Sequence, residues 1–281
     1  MQEWPLIVFT LLVQASVGAT VMLSLFLFFG KNALTRVELR RYVLPVLLFA
    51  VIAAALGLTA STLHLGYPLN AFNALRHAES SWLSREIIFA SLYLAAVGFA
   101  ALLALFWRRI SLLLLLLASV LGIIDVYCMG AIYVHAFVAT WMHCNTWVMF
   151  FGTLITLGAT MGLWGIAACV RMGEKIRRPV ATWALIALVA ATLIRLLEQM
   201  SYFSYLADSR QNLAVTFPHQ PLEAFASLHT TYLTAWIVLI AGIVLQSQFL
   251  RARGSKAVLT LGCVAVVVAE IILRVVFFSI N

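Results

Sequence analysis

The chain has 281 residues, of which 64% are hydrophobic and only 10% charged, with a mean hydropathy of +1.05. So few charges cannot solubilise a protein of this length, and the composition specifies an integral membrane protein. The net charge of +8 does not indicate nucleic acid, because the basic residues form short clusters between apolar runs, where lipid headgroups and membrane orientation explain them.

A membrane-spanning helix needs about 20 apolar residues. Eight runs qualify, at 5–29, 43–64, 86–106, 111–133, 145–170, 180–201, 228–249 and 257–278. They predict an all-α bundle of eight transmembrane helices in one polytopic domain, residues 1–281. The first run reads as a span and not as a cleaved leader: no basic segment precedes it, and it ends in Phe28-Phe29-Gly30-Lys31 without a small-residue cleavage site.

The second run ends in the most informative segment, Leu63-His64-Leu65-Gly66-Tyr67-Pro68, followed by Ala71-Phe72-Asn73-Ala74-Leu75-Arg76. Gly66 suits a helix stop and Pro68 prevents continuation. The third run then opens with Ser84 as N-cap and Glu86 in its first turn, where the helix dipole favours an anion. His64 and Glu86 are thereby expected at one depth on sequential helices. Singly, the histidine is an interfacial residue and the glutamate a cap. Together they suit a lipid-delivered molecule that gives up protons, such as a quinol, since imidazole titrates near neutrality and a desolvated carboxyl can be brought there. Tyr67, Asn73 and Arg76 are placed to orient its headgroup.

In the fourth run Asp125 has no local partner, which leaves a hydrogen-bonded core carboxyl and a proton-handling group both open. Gly158-x-x-x-Gly162 in the fifth is a close-packing motif. In the sixth, Arg195 and Glu198 are spaced i,i+3; in the eighth, Glu270 and Arg274 are spaced i,i+4. Both are expected to be structural charge pairs along their own helices; Arg195 and Glu198, toward the outer end, are also placed to border a ligand cavity. The four cysteines, Cys128, Cys144, Cys169 and Cys263, show no metal-ligand spacing and are read as small apolar-segment residues.

Thirteen of the eighteen lysines and arginines fall after the first, third, fifth and seventh runs, so both termini are expected on the non-cytoplasmic side. On that topology His64, His77, His135, His143, His219 and His229 all fall at outer helix ends or in outer loops. This weighs against haems stacked through the membrane, which need axial histidines at two depths. A single outer haem held by His64, His135 and His229 is the haem reading that stays open.

Several stretches resemble the membrane-anchor subunit of bacterial anaerobic dimethyl sulfoxide reductases: Glu3-Trp4-Pro5-Leu6, Gln14, His64-Leu65-Gly66-Tyr67-Pro68 with Ala71-Phe72-Asn73-Ala74-Leu75, Ser84-Arg85-Glu86-Ile87, and Glu270-Ile271-Ile272-Leu273-Arg274. The resemblance is most specific over 62–87 and weakest in the middle helices and at 202–227. It implies an inner-membrane protein with periplasmic termini and no haem or metal of its own. Menaquinol would be its bound substrate, at His64 with Glu86 as companion. Its partners would be an iron–sulfur subunit and a molybdopterin catalytic subunit on the periplasmic side, the iron–sulfur subunit docked on the connections 65–85, 134–144 and 202–227. A related anchor of the polysulfide or nitrite reductase type shares the histidine–leucine–glycine turn. A transporter would need paired helix breaks in two halves, and none is evident.

Overall fold

The computed structural model describes residues 4–30, 34–64, 77–136, 138–168, 174–212, 221–250 and 255–280. They form eight long helices: α1 (Trp4–Gly30), α2 (Arg36–His64), α3 (Trp82–Phe106), α4 (Leu112–Val134), α5 (Asn145–Ala168), α6 (Glu174–Asn212), α7 (Pro221–Ser247) and α8 (Lys256–Ser279). A 3-10 turn, Gln248–Leu250, extends α7. All eight are long and apolar enough to cross a membrane, and there is no strand among the described residues.

Several boundaries differ from expectation: α6 starts at Glu174 instead of 180 and α7 at Pro221 instead of 228, and three others have a local reason. Helix α2 begins at Arg36 instead of 43 because Thr35 and Glu38 form a capping box. Glu38 Oε2 accepts from the Thr35 N–H at 3.0 Å and hydroxyl at 2.7 Å, and Thr35 Oγ1 accepts the Glu38 N–H at 3.3 Å. Helix α3 begins at Trp82 because Ser81, not Ser84, is its N-cap, extended at φ −119° and accepting the Ser84 N–H. Helix α6 runs to Asn212 instead of 201 because Tyr202 and Tyr205 stay helical to grip the α4–α5 loop. Their hydroxyls donate to Thr140 O and Ala139 O, each at 2.9 Å.

Sequential helices pack as hairpins, and α1 and α5 are central, with α1 touching α2, α4, α5 and α8. Helix α2 also packs on α3. The approach of α1 to α5 is a backbone contact at Gly18 and Gly158: a Cβ on Gly158 would lie 2.5 Å from Gly18 C and 2.6 Å from its carbonyl oxygen. Small residues permit such contact in lipid, where packing and not hydrophobicity holds helices together. Gly158→Ala should therefore cost about 1–3 kcal/mol, read as a lower thermal midpoint in detergent. An unchanged midpoint would mean that the two backbones do not touch.

The bundle encloses a buried charged network. Glu270 of α8 accepts four hydrogen bonds: from Arg195 Nη1 at 2.5 Å and Nη2 at 3.1 Å, from Thr156 Oγ1 at 2.6 Å and from Thr153 Oγ1 at 2.9 Å. Arg274, one turn on, donates instead to Gln14 Oε1 of α1 at 2.6 Å and lies over the Phe150 ring at 4.1 Å. The expected pairing of Glu270 with Arg274 and of Arg195 with Glu198 is thus corrected. Arg195 is fully buried and reaches across to α8, with its aliphatic stem against Gly152, where a side chain would collide. The fork of a guanidinium satisfies both carboxylate oxygens of Glu270, which no same-helix geometry here provides.

Candidate functional site

The Ser81 cap sets the depth of Glu86. With Trp82 as the first helical residue, Glu86 sits in the second turn of α3 and not at its mouth, and it is 5% exposed. Its role as a dipole-facing terminal anion is therefore corrected to that of a carboxyl packed inside the bundle. The tryptophan that opens the helix stacks on His135 at the end of α4, with centroids 5.7 Å apart, and meets Tyr127 edge-on at 5.9 Å.

Across the α3–α4 interface lies Asp125, wholly buried and close enough to Glu86 for their charges to interact. Neither oxygen of Asp125 has a hydrogen-bond partner among the described residues. Arg85, next to Glu86 in sequence, does not neutralise the pair. It is turned to the 77–80 segment, donating to Ala78 O at 2.8 Å and Glu79 O at 2.6 Å with its guanidinium 4.3 Å over Trp82. Of the two readings left open for Asp125, the hydrogen-bonded core carboxyl finds no donor among these residues.

A carboxyl in an apolar interior ordinarily carries a cation or several donors. Two neighbouring buried carboxyls, neither in an ion pair among the described residues, are suited to binding and releasing a proton. Deeper along the same helices the Tyr93 hydroxyl is shared between Ser16 Oγ at 2.5 Å and Thr20 Oγ1 at 2.9 Å of α1, and Ser24 pairs with Ser119 at 2.8 Å. These hydroxyls escaped the sequence reading because single serines and threonines inside apolar runs carry no spacing signal.

His64 is the last residue of α2; its side chain lies outside the described residues. Tyr67, Asn73 and Arg76 lie outside them as well, as does His219. What is described is that α2, ending at His64, packs on α3, which carries Glu86. His135 is engaged at Nδ1, 2.8 Å from Ala131 O, and His229 rests against Phe225 on its own helix.

A second cluster was not foreseen. Glu198, freed of Arg195, accepts a hydrogen bond from the Cys144 thiol at 2.9 Å and lies 3.6 Å from His143 Nδ1. The hydrogen bond to Glu198, with some burial, holds the Cys144 thiol above its ordinary range. Cys144 and Glu198 are brought together from positions 54 apart, a relation invisible to cysteine spacing.

Residues 1–280 match the family described as DMSO reductase anchor subunit (DmsC). The protein is 30% identical over 287 aligned residues to the anaerobic dimethyl sulfoxide reductase chain YnfH of Escherichia coli (strain K12), covering 99% of this sequence and 95% of that one. It is 28% identical, with the same coverage, to the C subunit of the anaerobic dimethyl sulfoxide reductase of that organism. The C subunit of the corresponding enzyme from Haemophilus influenzae is 31% identical over 57% of each sequence. No solved structure matches.

Proposed function

The chain belongs to the DMSO reductase anchor subunit family, a membrane anchor of a dimethyl sulfoxide reductase-type complex, and on that premise we propose that it is also the subunit that oxidises menaquinol for that complex. The reduced quinone enters from lipid at the end of the bundle that carries both termini, where α2 ends and α3 begins. His64 and Glu86 take its protons, and Tyr67, Asn73 and Arg76 hold its headgroup. The electrons pass to an iron–sulfur subunit, docked on the outer segments 65–85, 134–144 and 202–227, and from it to a molybdopterin catalytic subunit.

The observation that supports this most is the buried Glu86 close to the wholly buried Asp125, with no counter-cation paired to either among the described residues. A simple anchor has no use for such a pair, whereas a site that removes two protons from each quinol does. The basic residues that follow α1, α3, α5 and α7 support a periplasmic location for this end at the inner membrane. Protons then leave on the side where the electrons go, and turnover does not itself separate charge.

Purification in mild detergent tests the reading. The expected outcome is co-purification with a chain carrying several four-cysteine clusters, with no haem absorption from the anchor. A reporter fused after His64 should respond as periplasmic. A cytoplasmic response, or an anchor that purifies alone and carries a solute across vesicles, would overturn the proposal.

A further inference from the structure

We propose that His143, Cys144 and Glu198 bind one divalent transition-metal ion of the zinc type at the head of α5, a site separate from the carboxyl pair. The three residues offer one nitrogen, one sulfur and one oxygen, all within 4.8 Å of one another. Around a tetrahedral ion with bonds of about 2.0–2.3 Å, ligand atoms lie about 3.3–3.8 Å apart. His143 Nδ1 is already 3.6 Å from Glu198 Oε1 and 3.7 Å from Cys144 Sγ. Only the sulfur–carboxylate distance, 2.9 Å, is short, because a thiol proton bridges the two atoms. Loss of that proton to solvent leaves thiolate and carboxylate to separate around the ion, so each metal bound releases one proton.

The ring nitrogen is in the right state. Nδ1 accepts the Asn145 N–H at 3.1 Å, so it carries no proton and its lone pair is directed at that N–H. A metal ion takes the place of that N–H, with Nε2–H left as the outward donor. The scaffold is held before any ion arrives. Tyr202 and Tyr205 pack on the His143 ring, with centroids 5.7 and 4.7 Å away, and their hydroxyls tie the preceding loop to α6. Asn145 Oδ1 accepts from Gln199 Nε2 at 2.8 Å, fastening the start of α5 to the residue after Glu198. The His143 and Glu198 side chains are 15% and 21% exposed and Cys144 is exposed, so a water can reach the cluster as fourth ligand.

The experiment is a Co²⁺ titration of the full chain purified in detergent. One equivalent should give the visible bands of a tetrahedral ion and a near-ultraviolet sulfur-to-cobalt band, both erased by Zn²⁺. Cys144→Ser should abolish the sulfur band, and His143→Ala and Glu198→Gln should each weaken Co²⁺ binding by at least the roughly 10-fold that loss of an outer-shell partner costs. The other described cysteines, Cys128 and Cys263, are buried. A sulfur band that survives Cys144→Ser, or no such band at one equivalent, would leave only a hydrogen-bonded trio and overturn the proposal. Quinol-dependent turnover is a separate readout, so failure here does not touch the proposed function.

Discussion

Glu86→Gln should lower quinol-dependent turnover about 10²- to 10⁴-fold, the range that a positioned acid or base contributes, while the subunits still assemble. Glutamine keeps the volume of a 5% exposed side chain but cannot take up a proton. His64→Ala should give a loss of the same order by the same reasoning. Asp125→Asn should have a smaller effect, since it leaves Glu86 in place and removes only the neighbouring carboxyl. The measurement is turnover with a reduced menaquinone analogue, beside turnover with an artificial dye that delivers electrons directly to the partner subunits. Loss of both activities would mark Glu86 as structural. Retention of both would remove it from the quinol site.

Glu270→Gln should destabilise the protein by about 3–5 kcal/mol, the usual cost of leaving a buried charge without its partner. Arg195 is wholly buried and Glu270 is 1% exposed, and the carboxylate accepts four hydrogen bonds from α5 and α6. An amide in its place supplies one acceptor and no charge. The double variant Arg195→Met/Glu270→Leu should recover most of the loss, because an apolar pair of similar volume carries no desolvation cost. A cycle on Glu270 with Arg195 should show strong coupling, and one on Glu270 with Arg274, which reaches it only through Thr153, a weaker one. Thermal midpoints of the four proteins in each cycle decide the point; equal coupling for the two arginines would refute this pairing.

The spans were legible from sequence wherever the signal is a sum over a window. Eight apolar runs became eight helices because hydropathy is additive along the chain and insensitive to what each helix touches. Boundaries failed where a polar device carries the helix past its apolar run: the Thr35–Glu38 box at the start of α2 and the two tyrosines that extend α6. The close-packing reading of Gly158 agrees with the contact at Gly18, since a small residue in a span has few other uses. The depth of Glu86 turned on which of two nearby serines caps α3, a choice that local sequence leaves open.

The order of residues alone thus specifies a membrane protein of eight spans, and it singles out the segment around His64 and Glu86. The partner of each buried polar group is set only in the packed bundle. Arg195 finds Glu270 and not Glu198, Arg274 finds Gln14, and Glu198 finds Cys144. Asp125 finds no donor among the described residues but lies near Glu86. Spacing along a helix says which residues share a face. Which neighbour that face meets depends on how the helices are rotated and packed, and in a bilayer the partner is chosen by that packing, because an unpaired charge has no water to turn to.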